Sequence, residues 1–204
     1  MSIFLVRHGE TALNVSRTLQ PAETPLSERG EAQARAVARR LAGARIAAVV
    51  SSDLPRAALT AKAIAGACSL PIVWEPLLQE RNFGDLRGRA YDTLGFDPLT
   101  LVDAPPGGES AADFRDRVAR AFDRIVRLRE GLEGNLAVVT HGLVIGALLS
   151  AHVRLPPGTA LPGRLGNTSL TVIDARSPHA VALLDCVRHL DAEASDDTRS
   201  LSGG

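Results

Sequence analysis

Residues 5–11 read LVRHGET: an apolar run that begins at residue 3 ends in an arginine, a histidine and a glycine. Polar residues directly after a buried strand lie at the carboxyl edge of a sheet, which is where open α/β proteins bind their ligands. A histidine at a strand end is more often structural than catalytic, so the triplet alone assigns no function. The rest of the chain has to show whether similar residues follow other strands.

The chain alternates short apolar runs with segments that carry apolar residues at helical spacing. The apolar runs predict strands at 3–6, 46–50, 72–74 and 135–140, with a closing pair at 168–174 and 180–186 around a turn at 177–178. The predicted helices run from Ser27 to Gly43, from an N-cap at Asp53 to Ala67, from Ser110 onward, and from Leu143 to Val153. Continuously apolar strands that alternate with helices predict an α/β fold, a three-layer sandwich with a mostly parallel central sheet flanked by helices. We expect one domain over residues 1–192 and a flexible polar C-terminal tail over 193–204.

Composition argues against several classes of protein. The chain has 204 residues, of which 45% are hydrophobic, and its 23 basic and 23 acidic residues balance. Balanced charge and only 3% aromatic residues argue against nucleic-acid binding, and the N-terminal apolar run is too short for a membrane anchor. The two cysteines, Cys68 and Cys186, are too few for a disulfide framework and favour a cytoplasmic location. No residue pattern indicates an oligomeric state.

Three of the predicted strands are followed by arginine or histidine. Arg7 and His8 follow the first strand, Arg56 lies at a helix start after the second, and His141 follows the fourth. If these strands are parallel neighbours, the four side chains converge near a helix N-terminus, which adds partial positive charge. Because the guanidinium group matches the oxygens of a phosphate, the sequence predicts a phosphate pocket. The other histidines lack this placement and are expected to be structural or at the surface: His152, His179 and His189.

Six motifs in this order resemble the histidine phosphatase superfamily, with its phosphoglycerate-mutase-like fold. They lie within residues 3–174 and are LVRHGET followed by Asn14, PLSERGEAQA (25–34), SSDLPRAALTA (51–61), LLQERNFGDLRG (77–88), PGGES (106–110) and VVTHGLVIGAL (138–148). The resemblance implies the fold described above. It also implies a phosphoryl-transfer enzyme that forms a phosphohistidine and needs no metal and no cofactor.

The resemblance assigns a role to individual residues. His8 is the nucleophile, which attacks as the neutral imidazole and splits one displacement into two easier steps. Glu80 donates a proton to the leaving oxygen and then activates water, and Asp85 is the next candidate for this role. The transferred group is held, and its developing charge stabilised, by the catalytic residues Arg7, Arg56 and His141 together with the substrate-binding residues Asn14 and Gly142.

Departures from the mutase pattern favour a phosphatase. A phosphoglycerate mutase also binds a carboxylate and a second phosphate, whereas residues 90–108, which correspond to part of its substrate site, have no lysine or arginine. Phe83 stands where the mutases carry a tyrosine, and Leu143 where they carry an asparagine. We therefore expect a metal-independent phosphomonoester hydrolase of the histidine acid type that acts on a small phosphorylated metabolite. A cofactor-dependent phosphoglycerate mutase is the alternative, and a catalytically silent phosphate-binding or scaffold domain is the alternative of another class.

Residues 90–108 allow two interpretations. Their apolar side chains form either a packing cluster under a loop, which we favour, or an apolar wall that selects a neutral alcohol as leaving group. These side chains are Leu94, Phe96, Leu99, Leu101 and Val102. Four arginines outside the segment reverse this selectivity if they turn inward: Arg17, Arg81, Arg87 and Arg89.

Overall fold

A six-stranded sheet forms the centre of the protein in the computed structural model, which describes residues 1–190. Its strands are β1 (Ser2–Arg7), β2 (Ile46–Ser51), β3 (Ile72–Trp74), β4 (Asn135–Thr140), β5 (Leu170–Asp174) and β6 (Val181–Cys186). Their order is β3-β2-β4-β1-β5-β6, and β5 runs antiparallel to both of its neighbours while the other pairs are parallel. The predicted mostly parallel sheet is confirmed. The predicted domain end at residue 192 and the tail at 193–204 lie outside the described residues.

Residues 1–190 form five α-helices, and two of these helices begin at the serines that the sequence indicated. They are α1 (Ala12–Val15), α2 (Glu28–Ala42), α3 (Pro55–Cys68), α4 (Ala111–Glu130) and α5 (Gly142–Ala151). The Ser27 hydroxyl accepts a hydrogen bond from Gly30 N, and the Ser110 hydroxyl accepts one from Asp113 N, each at 3.0 Å. These bonds satisfy N–H groups in the first turn of α2 and of α4. Within residues 1–190, no helix is long and apolar enough to cross a membrane.

Different helices cover the two faces of the sheet. Helices α4 and α5 pack on one face, and α2 and α3 pack on the other. In β4, Leu136 and Val138 belong to the core under α4 and α5, while Ala137 and Val139 belong to the opposite core. This is the alternation expected along a strand. Because both faces are buried, the central strands read as continuous apolar runs in the sequence.

The start of α3 differs from the prediction. Asp53 is not the N-cap; Leu54 occupies that position in an extended conformation, and Pro55 is the first helical residue. Proline suits this position because its fixed φ is helical and its missing N–H would have no partner there. The Asp53 carboxylate instead accepts a hydrogen bond from Gln79 Nε2 at 2.7 Å. This hydrogen bond connects the segment that contains Glu80 to the start of α3.

The connection between β3 and α4 contains four 3₁₀ turns and a small apolar cluster. The turns are Pro76–Leu78, Gly84–Leu86, Tyr91–Thr93 and Pro98–Thr100. The cluster consists of Leu19, Phe83 and Tyr91, with Leu86, Leu94, Leu99 and Leu143 packed against it. Leu94 and Leu99 thus take part in packing, whereas Phe96 and Val102 are exposed. Of the four arginines named for this region, Arg81 is the buried one.

Candidate active site

His8 is the residue directly after β1, and both its backbone N–H and its carbonyl form hydrogen bonds with neighbouring segments. His8 N donates to the carbonyl of Thr140 at the end of β4, at 2.9 Å. The His8 carbonyl accepts from Thr168 N at 3.2 Å and from Asn167 Nδ2 at 3.1 Å, both just before β5. The position of His8 therefore depends on the two strands that flank β1.

The chain makes a close approach at Gly9. A Cβ atom at Gly9 would lie 2.5 Å from the carbonyl oxygen of Gly30, near the start of α2, so a side chain does not fit there. Gly9 N donates to Thr60 Oγ1 at 3.0 Å, and Thr60 Oγ1 donates to the Arg56 carbonyl at 2.8 Å. Because Gly9 has no side chain, the loop after β1 can pack against α2. The same loop is hydrogen-bonded to Thr60 in α3.

The His8 ring is buried and held in one tautomer. Its Nδ1 lies 2.7 Å from the Gly9 carbonyl oxygen, and because a carbonyl only accepts hydrogen bonds, Nδ1 carries the hydrogen. Nε2 then has its lone pair available. Burial lowers the pKa of His8 well below 6.5, and the charges of Arg56 and Arg7 lower it further. At neutral pH the ring is therefore the neutral imidazole, the form that a nucleophile requires.

Two buried arginines lie beside this ring. Arg7 Nη1 donates to the Leu165 carbonyl, and Arg56 Nη1 donates to the Pro21 carbonyl at 3.4 Å. Burial, as the largest cause, lowers the pKa of each guanidinium to about 10, while Glu80 acts in the opposite direction. Both groups stay charged at neutral pH. Two buried positive charges are costly unless an anion accompanies them, so the pair favours binding of a phosphoryl group.

The ring of His141 also lies next to His8, with the two ring centroids 5.1 Å apart. His141 Nε2 is 2.9 Å from the hydroxyl of Ser52, which also accepts a hydrogen bond from Leu54 N at 3.3 Å. Nδ1 of His141 is buried and has no hydrogen-bond partner among residues 1–190. Burial, followed by the charge of Arg56, lowers the pKa of His141 well below 6.5. The ring is therefore a neutral group with one N–H to donate.

Glu80 contributes a buried carboxyl group to this region. Its Oε1 accepts from Arg81 N at 2.9 Å, and its Oε2 accepts from Leu143 N, in the first turn of α5, at 3.1 Å. Burial raises the pKa of Glu80 above 4.5, and it outweighs these two hydrogen bonds and the charges of Arg56 and Arg7. Glu80 therefore keeps a proton to higher pH than an exposed glutamate does. Asp85, in contrast, is exposed.

The two remaining predicted residues lie at the same edge. Asn14 is buried, and its Oδ1 accepts from Thr11 N at 3.1 Å and from Asn167 Nδ2 at 3.2 Å. Gly142 is the first residue of α5, and a Cβ atom there would lie 3.5 Å from Arg7 Nε. The structure thus brings all seven predicted residues to one end of the sheet.

The other three histidines contact different groups. The His152 and His179 rings lie 4.8 Å and 5.0 Å from the Phe122 ring, and His189 bonds Arg40 and Thr168 at 3.1 Å each. In the part of the chain that the structure describes, no three His, Cys, Asp or Glu side chains form a group that could hold a metal ion. Metal independence stays a prediction.

Sequence reasoning missed three polar residues that support the site. Ser52 and Thr60 stand within the motif SSDLPRAALTA, but serine and threonine are too common for their positions alone to indicate a role. Asn167 lies in none of the motifs, and its two hydrogen bonds, to the His8 carbonyl and to Asn14, join segments far apart in the sequence. The structure was needed to connect these residues to His8 and His141.

Comparison with known proteins agrees with this geometry. The profile of the histidine phosphatase superfamily (branch 1) matches residues 3–184. A protein of Yersinia enterocolitica named "Probable phosphoglycerate mutase GpmB" is 36% identical over 213 residues, which cover 97% of this chain and 98% of that protein.

Two solved structures share the fold. YhfR of Bacillus stearothermophilus has a TM-score of 0.80 and 31% identity, and the match covers 93% of this chain and 99% of that one. A mycobacterial glucosyl-3-phosphoglycerate phosphatase in complex with VO3 has a TM-score of 0.73 and 31% identity, over 85% of this chain and 90% of that one. The order of the motifs, the arrangement at the sheet edge and these matches agree. The chain belongs to branch 1 of the histidine phosphatase superfamily.

Proposed function

We propose that this enzyme is a phosphatase that hydrolyses a small phosphomonoester through a phosphohistidine on His8. One observation carries the proposal: a buried neutral imidazole, with Nδ1–H bonded to Gly9, lies beside the buried guanidinium groups of Arg7 and Arg56. This combination supplies a nucleophile and the positive charge that a phosphoryl group requires. A cytoplasmic location remains part of the same proposal.

In the first step, His8 Nε2 attacks phosphorus and the bond between phosphorus and the ester oxygen breaks. Glu80 gives its proton to the departing oxygen, so the product leaves as a neutral alcohol. Arg7 and Arg56 bind the equatorial oxygens of the transferred group, and His141 and Asn14 add neutral hydrogen-bond donors. The Nδ1–H of His8 stays bonded to Gly9, which supports the positive charge that the ring gains on phosphorylation.

In the second step, the Glu80 carboxylate takes a proton from a water molecule as that water attacks phosphorus. The bond between Nε2 and phosphorus breaks, and inorganic phosphate leaves. Glu80 is then protonated again and His8 is again the neutral imidazole. Glu80 loses and regains a proton during the cycle, whereas His8 keeps its Nδ1–H throughout.

A phosphoglycerate mutase is the second candidate, favoured by the name of the relative that is 36% identical. The mycobacterial neighbour, in contrast, is named a phosphatase. Two features of this chain support hydrolysis. Residues 90–108 carry no cation, and Phe83 and Leu143, where mutases carry polar residues, take part in the apolar cluster with Leu19 and Tyr91.

A direct comparison of the two activities tests the proposal. We expect the purified enzyme to release phosphate from p-nitrophenyl phosphate in the presence of EDTA. We expect little conversion of 3-phosphoglycerate in a coupled mutase assay primed with bisphosphoglycerate. Mutase turnover equal to or above that of the best phosphatase substrate would contradict the proposal, as would loss of hydrolysis on chelation that magnesium restores.

Ser52 gives a further prediction, because its hydroxyl faces His141 Nε2 at 2.9 Å. If the hydroxyl donates to Nε2, the ring proton stays on Nδ1, the nitrogen with no partner within residues 1–190. We expect Ser52→Ala to lower the rate of phosphoenzyme formation by about 10-fold, the effect of one buried hydrogen bond. The ¹⁵N shifts of the His141 ring should show a changed tautomer.

The matched control is Ser51→Ala, which removes the same atom from the neighbouring buried residue, whose hydroxyl donates to the Ser52 carbonyl. We expect this variant to keep the wild-type ¹⁵N shifts of His141. An unchanged His141 tautomer in Ser52→Ala would show that Ser52 does not position the ring.

A further inference from the structure

Glu109, in the motif PGGES (106–110), takes no part in the proposed reaction steps, but its carboxylate is paired with an arginine of α4. Arg117 Nε donates to Glu109 Oε1 and Arg117 Nη2 donates to Glu109 Oε2, each at 2.8 Å. The side chains of Arg117 and Glu109 are 18% and 15% exposed, so water screens this pair only in part. Two hydrogen bonds between a guanidinium and a carboxylate fix the plane of the guanidinium. Arg117 therefore presents its remaining N–H groups in a defined direction.

Those remaining N–H groups bond the segment that carries the proposed acid. Nη1 of Arg117 donates to the Leu77 and Gln79 carbonyls at 2.8 Å each, and Nη2 also donates to the Glu80 carbonyl at 3.3 Å. Together with the two bonds to Glu109, these bonds use all five N–H donors of the guanidinium. Lysine cannot reproduce this set, because its three donors share one nitrogen atom. The arrangement therefore depends on arginine and not on positive charge alone.

Four consecutive carbonyl groups, those of residues 77–80, accept hydrogen bonds from side chains. Arg117 binds three of them, and Thr140 Oγ1, at the end of β4, donates to the Leu78 carbonyl at 2.7 Å. The 3₁₀ turn Pro76–Leu78 ends before Glu80, which lies outside regular secondary structure. The position of the Glu80 backbone therefore depends on bonds to side chains from β4 and α4.

The carboxyl group of Glu80 is held by different groups from those that hold its backbone. Oε1 accepts from Arg81 N at 2.9 Å and Oε2 accepts from Leu143 N at 3.1 Å, and Glu80 is 6% exposed. A shift of residues 77–80 away from α5 would stretch the bond to Leu143 and admit water to the carboxyl group. Misplacement of a catalytic group by about 1 Å can lower a rate by about 10²-fold. The backbone bonds of this segment are therefore expected to matter for proton donation.

We propose that Arg117, oriented by Glu109, is a positioning residue for the general acid: it holds the backbone of residues 77–80 where the Glu80 carboxyl group reaches the ester oxygen. Arg117 acts through Glu80 and does not contact the substrate. The inference rests on the proposed phosphatase function, in which Glu80 protonates the leaving oxygen. It also gives the motif PGGES a role in proton donation.

The dependence of the phosphorylation rate on the leaving group separates this role from a purely structural one. Single-turnover phosphoenzyme formation is measured with propyl phosphate and with p-nitrophenyl phosphate in Arg117→Lys, which keeps the charge but loses the five-donor fork. We expect the rate with propyl phosphate to fall roughly 10- to 100-fold, as for a misplaced acid. The rate with p-nitrophenyl phosphate should fall at most about 3-fold, because its leaving group needs little protonation. A purely structural role would lower both rates by the same factor.

A double variant tests whether Arg117 acts through Glu80. Glutamine at position 80 has no acidic proton to position, and substitutions of residues that act through one another are not additive. We therefore expect Arg117→Lys, introduced into Glu80→Gln, to change the ratio of the two rates by less than about 2-fold.

Glu109→Gln tests the orienting carboxylate. The amide keeps one acceptor oxygen for Arg117, and the three carbonyl bonds of Arg117 can still form. We expect the ratio of the propyl phosphate rate to the p-nitrophenyl phosphate rate to fall about 3-fold, in the same direction as in Arg117→Lys but less.

Two variants of α4 serve as controls. Arg124 pairs with Glu75 at 2.9 Å, so Arg124→Lys alters a second pair between α4 and the connection that follows β3. Ile125→Val removes one methyl group from the buried side of α4 and lowers the unfolding temperature. We expect both variants to keep the wild-type ratio of the two rates, and thermal unfolding is measured for every variant.

Equal losses for the two substrates in Arg117→Lys would overturn the inference, as would a further fall of the ratio in the double variant. If Arg117→Lys does not fold, Glu109→Gln provides the same test, and a wild-type ratio in that variant would overturn the inference. In each of these cases the wild-type enzyme would still form the phosphohistidine, so the proposed function would stand. Absence of a phosphoenzyme in the wild-type enzyme would instead overturn the proposed function.

Discussion

We expect His8→Ala to lower the hydrolysis of p-nitrophenyl phosphate by at least roughly 10⁴-fold, the scale seen when a covalent nucleophile is removed. The reason is that His8 supplies the attacking Nε2 lone pair in the proposed mechanism, since its Nδ1–H is held by the Gly9 carbonyl at 2.7 Å. We expect Arg7 and Arg56 still to bind phosphate in the variant. Without the imidazole, however, the reaction cannot be divided into two displacements.

Trapping of the intermediate measures the same step. Quenched wild-type enzyme should carry a phosphoryl group that is stable in alkali and lost in acid, as expected of a phosphohistidine, and His8→Ala should carry none. His152→Ala is the matched control, because His152 packs against Phe122 and lies at the opposite end of α5 from His141. Retention of more than a tenth of the activity by a folded His8→Ala variant would contradict the assignment of the nucleophile.

The second large effect is expected for Glu80→Gln, and it depends on the leaving group. An alkoxide leaves poorly without a proton, and general acid catalysis is typically worth about 10²–10⁴-fold. The p-nitrophenolate ion needs much less help. Glutamine keeps the shape of the side chain and can still accept the backbone hydrogen bonds of Arg81 or Leu143 with its carbonyl oxygen. We therefore expect the rate of phosphoenzyme formation from an alkyl phosphate to fall by about 10²–10⁴-fold. The rate of its formation from p-nitrophenyl phosphate should fall far less.

The effect of Glu80→Gln on proton donation has to be measured in the phosphorylation step, because in the proposed mechanism Glu80 also acts as the base for water in the second step. Single-turnover measurements separate the two steps. Asp85→Asn serves as the control, since Asp85 lies in the same motif but is exposed. Equal losses for the two substrates in Glu80→Gln would show that Glu80 is not the acid.

The pH dependence follows from the directions of the pKa shifts. Burial raises the pKa of Glu80 above 4.5, so the acid form persists as the pH rises through 4.5 and is lost only above that value. Burial lowers the pKa of His8 well below 6.5, so the neutral nucleophile persists as the pH falls through 6.5. Both groups are in the reactive form at pH values above the pKa of His8 and below the pKa of Glu80. For an alkyl phosphate, the alkaline decline in phosphorylation rate should disappear in Glu80→Gln.

The sequence by itself determined the strands, the starts of α2 and α4, and the edge of the sheet at which the site lies. Apolar runs and the caps at Ser27 and Ser110 are local signals, since each depends on residues within a few positions of one another. The placement of Arg7, His8 and His141 after strands could be predicted for the same reason: the carboxyl ends of parallel strands meet at one edge. Local reasoning was wrong at Asp53, where the proline that follows Leu54 moves the cap by one residue.

Only the tertiary structure decided the chemistry of these groups. The pKa shifts of His8 and Glu80 have burial as their largest cause, and burial results from packing between segments that are far apart in the chain. The same holds for the two hydrogen bonds of Asn167, to the His8 carbonyl and to Asn14, because they join segments that are far apart in the chain. Desolvation and the distances between charged groups depend on the three-dimensional structure, and they cannot be read from the positions of residues in the sequence.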